Sequence, residues 1–186
     1  MPLTTYTAGE VLTAASLNNN FTVAAAAGGL NLISATTIGS AVSSVTISSA
    51  FSATYDNYKI VVSGGAGTLA NGNMGFSLGA SATGYYSSVA GLVFATGVPI
   101  TYAISNSSSF TRAGSATTNG INVVLEVNSP FLAKYTYISG SVSYTDEGGS
   151  LNGVHEVATS YTAFTITPSS GTLTGGTVRV YGYSNS

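Results

Sequence analysis

The residues of this chain able to do chemistry are few. His155 is the only histidine, and the carboxylates are Glu10, Asp56, Glu126, Asp146, Glu147 and Glu156. A Ser–His–Asp relay needs the histidine to meet both an acid and a hydroxyl. Glu156, beside His155 in the chain, falls on the opposite face of an extended strand. His155 is therefore expected to be a strand residue facing solvent or an interface. Hydrolysis of a glycosidic bond needs two carboxyl groups flanking it. Asp146 and Glu147 are adjacent in a turn-forming stretch, and Glu126 alternates against Val123, Leu125 and Val127 with no second acid assigned to it by pattern. The acids lack the ligand spacing of a calcium loop. There is no cysteine to act as thiolate ligand or nucleophile, and no glycine run joins a strand to a helix as phosphate binding requires. The reading is a non-enzymatic protein without cofactor or metal.

What remains is recognition. The chain has 12 tyrosines, 7 phenylalanines and no tryptophan, and a tyrosine ring, apolar in body and polar at its tip, suits surfaces that bind sugars or proteins. Tyr85, Tyr86 and Tyr102 fall in an irregular middle stretch. Phe110 and Arg112 lie within residues 106–119, a Ser- and Thr-rich segment that reads as a long exposed loop, and such loops often carry function. These five residues form the candidate receptor-facing surface.

Charge is scarce. Only 5% of residues are charged, with a net charge of −2, where about a quarter is usual. Lys59, Arg112, Lys134 and Arg179 are scattered and build no basic stripe, which excludes nucleic acid as a partner held by its phosphates. The 44% hydrophobic content argues against disorder. No basic region of a signal peptide opens the chain and no apolar run is long enough to span a bilayer, so synthesis and assembly in a cytoplasm, without membrane insertion, are expected.

Two segments must position these residues. Residues 1–29 have their own grammar: Pro2, Thr4, Thr5, Tyr6 and Gly9 favour an extended arm, Thr13 is a helix N-cap, and Leu17, Phe21 and Ala24 or Ala25 recur at helical spacing. Gly28 and Gly29 stop the helix. Asn18, Asn19 and Asn20 weaken it, so its stability must come from contacts. From Leu30 the period becomes two, with Leu30 and Leu32 sharing a face, a dense run from Tyr58 to Val62, alternation at Met74, Phe76 and Leu78, and a hairpin at residues 146–149. About nine strands separated by turn chemistry predict an antiparallel β-sandwich over residues 30–186, jelly-roll-like in connection.

Residues 5–18, running Thr5-Tyr6-Thr7-Ala8-Gly9-Glu10-Val11-Leu12 to Asn18, resemble an N-terminal segment of tailed-bacteriophage tail-fibre and minor structural proteins. Tyr55-Asp56-Asn57-Tyr58-Lys59-Ile60 and the closing Val178-Arg179-Val180-Tyr181-Gly182-Tyr183 resemble strands that bracket β-sandwich modules of phage virion proteins. The resemblance implies a virion structural protein and a homotrimer. Tyr6, Val11, Leu12, Leu17 and Phe21 would then serve anchoring and oligomerisation, seating residues 1–29 on other virion proteins of the tail or capsid. The β-domain would face a host-surface glycan or protein. A short tail fibre or tail appendage is the first reading; a head fibre or capsid decoration protein is the alternative, and a virion enzyme degrading polysaccharide a further rival. The departure from long tail fibres is the lack of a repetitive shaft.

Overall fold

A computed structural model describes residues 4–11, 13–26 and 29–185. Pro2, Leu12 and Gly28, assigned above to the arm and the helix stop, lie outside the described residues. The chain is mainly β, with one helix, α1 (Ala14–Ala26), among the described residues. The strands are β1 (Leu30–Thr37), β2 (Val45–Ile47), β3 (Asn57–Gly64), β4 (Ala66–Gly67), β5 (Asn73–Leu78), β6 (Tyr85–Val93) and β7 (Pro99–Ser107), followed by β8 (Phe110–Thr117), β9 (Gly120–Asn128), β10 (Thr136–Ser143), β11 (Glu147–His155), β12 (Phe164–Pro168), β13 (Leu173–Thr174) and β14 (Thr177–Tyr183). Fourteen strands among the described residues thus replace the nine expected. Two of the additional ones, β4 and β13, have two residues each and pair with one another near glycine-rich turns, too short for a periodicity to register.

Twelve strands form one antiparallel network, in the order β2-β12-β5-β8-β9-β10-β11-β6-β7, with a branch in which β9 also pairs β3, β3 pairs β14 and β14 pairs β1. The branch arises because β9 shares one edge between two partners. Residues 120–122 pair with β8 and residues 125–128 with β10, while the other edge runs unbroken along β3. Val123 and Val124 therefore sit at a fork. Gly114 makes the approach of β8 possible: a Cβ there would lie 2.5 Å from the Asn122 carbonyl oxygen. Beyond the fork β8 comes close to β10, β6 and β7 without pairing with them, so the network curls over its own core.

A chain of ring contacts runs through that core. Tyr58 packs edge-on to Phe51 at 4.8 Å, Phe51 meets Phe164 at 5.7 Å, and Phe164 stacks on Phe76 at 5.0 Å. Phe76 stacks on Phe110 at 6.4 Å, Phe110 meets Tyr85 edge-on at 4.9 Å, and Tyr85 stacks on His155 at 4.1 Å. Alternation in β3, β5, β9 and β14 supplies the surrounding Ile, Val, Leu and Met side chains, as a half-buried strand requires.

Two expectations from sequence do not hold, and the outward direction of a third feature was not legible. Residues 106–119 are not a long exposed loop: they hold the end of β7, a tight turn and β8, whose residues 113–117 are all buried. Small side chains stand there because neighbouring strands come too close for larger ones. Leu30 and Leu32 share a face as expected, yet point outward, 42% and 58% exposed; the register shift between Leu32 and Ser34 puts Ile33 against the core instead. Finally, the arm before α1 is not simply extended. It turns at Ala8–Gly9, with Gly9 at φ 92° and the Glu10 amide donating to the Thr7 carbonyl at 3.1 Å.

Candidate functional site: an uncovered helix and an open sheet face

The helix begins as its sequence dictates. Thr13 Oγ1 accepts from the Ser16 amide at 3.2 Å, satisfying one of the free donors of the first turn. Asn20 then fixes the arm to the helix: its Oδ1 accepts from the Thr4 amide at 2.8 Å and its Nδ2 donates to the Thr4 carbonyl at 2.9 Å. One asparagine side chain thereby imitates a backbone pairing. Among the described residues no strand packs extensively against α1. Phe21 is 65% exposed and Leu17 40%, and Val11 in the arm is 82% exposed. Tyr6 is half-buried, with its hydroxyl out of water and without a partner among the described residues. Leu12, the fifth expected anchoring residue, lies outside the described residues. Of the residues expected to anchor, Val11, Leu17 and Phe21 thus present apolar surface left uncovered by the rest of the described chain.

The second feature is the outward face of β9, β10, β11 and β6. Its side chains follow from register. Tyr137, Val154 and Tyr86 lie side by side across β10, β11 and β6. In the next row Lys59, Glu126, Ser139, Asn152 and Ser88 cross from β3 to β6. Two open concavities mark this face, one of about 440 Å³ around Glu126, Ser139 and Asn152 and one of about 450 Å³ around Tyr86, Tyr137 and Asn152. Asn152 belongs to both. Glu126 is held rather than free: Lys59 Nζ reaches one carboxylate oxygen at 2.7 Å and the Tyr183 hydroxyl donates to the other at 2.7 Å. Donating to a carboxylate pushes the Tyr183 pKa up to about 12, with burial adding to the effect. No second acid lines the concavity around Glu126.

The expected receptor-facing residues do not form one surface. Tyr85 and Phe110 are wholly buried, which corrects their assignment: both lie on inward positions of β6 and β8, in the ring chain. The Tyr85 hydroxyl accepts from the Leu78 amide at 2.8 Å, and burial raises its pKa. Tyr102 and Arg112 are brought together in a half-buried knot. The Arg112 guanidinium lies 3.4 Å from the centre of the Tyr102 ring and 3.2 Å from Glu147 Oε1, while the Tyr102 hydroxyl donates to the same carboxylate at 2.9 Å. That hydrogen bond to Glu147 is the main reason the Tyr102 pKa is raised. With Glu147 so engaged and Asp146 bonded to Asn71, these adjacent acids serve separate partners. Among the described residues no group of three metal-ligating side chains converges. Tyr86 alone of the five is found on the open sheet face.

His155 is also corrected. It is fully buried, not solvent-facing. Its register partners are Thr136 and Tyr85 on inward positions, and its Nε2 shares a 2.8 Å hydrogen bond with the Tyr161 hydroxyl. Burial holds its pKa below the usual histidine value, against a smaller opposing effect of the Gly84 backbone. Its Nδ1 and the Thr136 hydroxyl beside it are both without partners among the described residues. Among the described residues no acid or serine bonds to either ring nitrogen of His155.

Sequence reasoning missed Tyr137 and Asn152. The alternation Tyr137, Ser139, Ser141, Ser143 is a readable polar face, but which residues oppose it on β11 and β6 depends on register, which short-range pattern does not encode. No protein-family model matches the chain, and no curated protein and no solved structure matches it either.

Proposed function

We propose that this chain is a non-enzymatic bacteriophage virion structural protein, a short tail fibre or tail appendage taking part in host attachment, and that it works as a homotrimer. The observation carrying the proposal is the uncovered helix: Leu17 and Phe21, one turn apart, face solvent on an element that the described sheet does not shelter. Covering such side chains is worth about 1.5–3 kcal/mol each, so sister helices or a recipient virion protein supply what this chain lacks. The N-terminal segment whose sequence resembles phage anchoring segments is the same one. Low charge and the hydroxyl-rich exterior fit a protein packed among many neighbours. In this reading the curled network is a β-sandwich that projects from the particle.

The test is the mass of the full chain in solution, by light scattering, for the wild type and for Leu17→Asp with Phe21→Asp. A trimer that the double variant breaks while the β signature of its circular dichroism persists is expected; a wild-type monomer, or a variant that assembles normally, would falsify the assignment. Copy number in purified virions separates the tail from the head. Few copies in multiples of three fit a tail appendage, and copies covering the shell make the chain a head decoration. Cleavage of host polysaccharide that is lost in Glu126→Gln would make it an enzyme instead.

A further inference from the structure

The open face of β9, β10, β11 and β6 has a chemistry of its own. Its first row, Tyr137–Val154–Tyr86, is an apolar strip with a ring at each side, the two backbone positions separated by two strand spacings, about 9.5 Å. Tyr137 is 53% exposed. Its second row, Glu126–Ser139–Asn152–Ser88, holds a carboxylate, an amide and two hydroxyls, and Ser150 continues the floor on β11. Apolar and hydrogen-bonding rows thus run side by side on a rigid sheet with short side chains.

We propose that this face binds a neutral oligosaccharide, stacked on Tyr137 and Tyr86 and hydrogen-bonded by Asn152, Ser139 and Glu126. A sugar ring is amphipathic in the same sense as the face: C–H groups on its flat side, hydroxyls around its edge. Tyrosine rings complement the flat side. Asn152 both donates and accepts, and each Glu126 oxygen, already serving Lys59 or Tyr183, keeps acceptor capacity for a hydroxyl. Charge selects among occupants. The cation of these rows, Lys59, is neutralised by Glu126 at 2.7 Å, so phosphate or sulfate groups find no free positive partner in them. A protein partner would need a dry apolar centre ringed by polar groups; here the centre is Asn152 and the rings lie to one side. The inference deepens the attachment reading and rests on it for its biological setting.

The test uses the full chain against an array of neutral oligosaccharides, then calorimetric titration of the strongest soluble binder into the wild type, Tyr137→Ala, Asn152→Ala and Phe94→Ala. Phe94 is 60% exposed in the connection after β6, at the opposite end of that strand from Tyr86, and serves as control. Expected is binding by the wild type and the control, weakened at least about tenfold, equal to about 1.4 kcal/mol, in both Tyr137→Ala and Asn152→Ala, with unchanged thermal unfolding. No binding to any neutral saccharide, or equal binding by all four proteins, overturns the proposal. So does loss of the oligomer in Tyr137→Ala, which would make the face a contact between copies. A chain that binds through Tyr137 but is absent from virions keeps the saccharide site and removes the attachment reading; a virion chain that binds no saccharide does the reverse.

Discussion

Phe110 offers the sharpest contrast between the residue as its sequence suggests and as the fold uses it. As part of an exposed loop its removal would cost almost nothing; as the link between Phe76 and Tyr85 it should cost a great deal. The ring is fully buried, with centroids 6.4 Å from Phe76 and 4.9 Å from Tyr85. It also lies over Gly153, where a Cβ would come within 2.8 Å of it. Glycine leaves no side chain to move into the space, so collapse around a deletion is limited. Phe110→Ala should therefore cost about 3–5 kcal/mol, the range for a truncated core phenylalanine. At this size each kcal/mol shifts the midpoint by about 2–4 °C, so a fall of roughly 6–20 °C is expected in thermal unfolding followed by circular dichroism. Tyr137→Ala, on the open face, should stay within about 0.5 kcal/mol of wild type. A Phe110→Ala midpoint indistinguishable from that of Tyr137→Ala would refute the inward orientation of β8.

Two further outcomes follow from buried geometry. Because burial lowers the folded-state pKa of His155, the unfolded chain takes up its proton first as pH falls below about 6.5. Stability should be level above that value and decline as the pH falls below it toward the lower folded-state pKa, by at most about 1.4 kcal/mol per pH unit. As the sole histidine it owns that window, so urea midpoints that stay constant across it, or a slope that survives His155→Phe, would contradict the burial. Gly114→Ala should destabilise by about 1–3 kcal/mol through overpacking against Asn122 and Val123, whereas an unstrained glycine replacement would stabilise slightly; the sign of the shift in urea midpoint decides.

The β character, the N-cap at Thr13 and the strands with one wet face were legible because each is a local pattern. Tyr58 to Val62 and residues 121–127 alternate, and alternation is what a half-buried strand imposes. β8 was illegible for the opposite reason. Ala113, Ser115, Ala116 and Thr117 are buried, yet they are small or hydroxylated because β9 presses close, so neither hydrophobicity nor period marks them. His155 misled by type: polar residues are usually exposed, and only its pairing with Tyr85 and Tyr161 places it inside. The open face was half legible. Its serines announced a polar side, but the alignment of Tyr137 with Tyr86 depends on three strands finding one register.

The pairing of β1 with β14, and of β14 with β3, has a consequence for how the protein is made. Residues 30–37 and 57–64 leave the ribosome well before their shared partner, Thr177–Tyr183. Closing so long a loop is slow, while α1 precedes all three strands in the chain. A chain interrupted before Val178 would leave β1 and one edge of β3 bare, and exposed strand edges invite aggregation. Joining β1 to β14 thus makes the pairing of β1, and of one edge of β3, wait on the synthesis of Thr177–Tyr183.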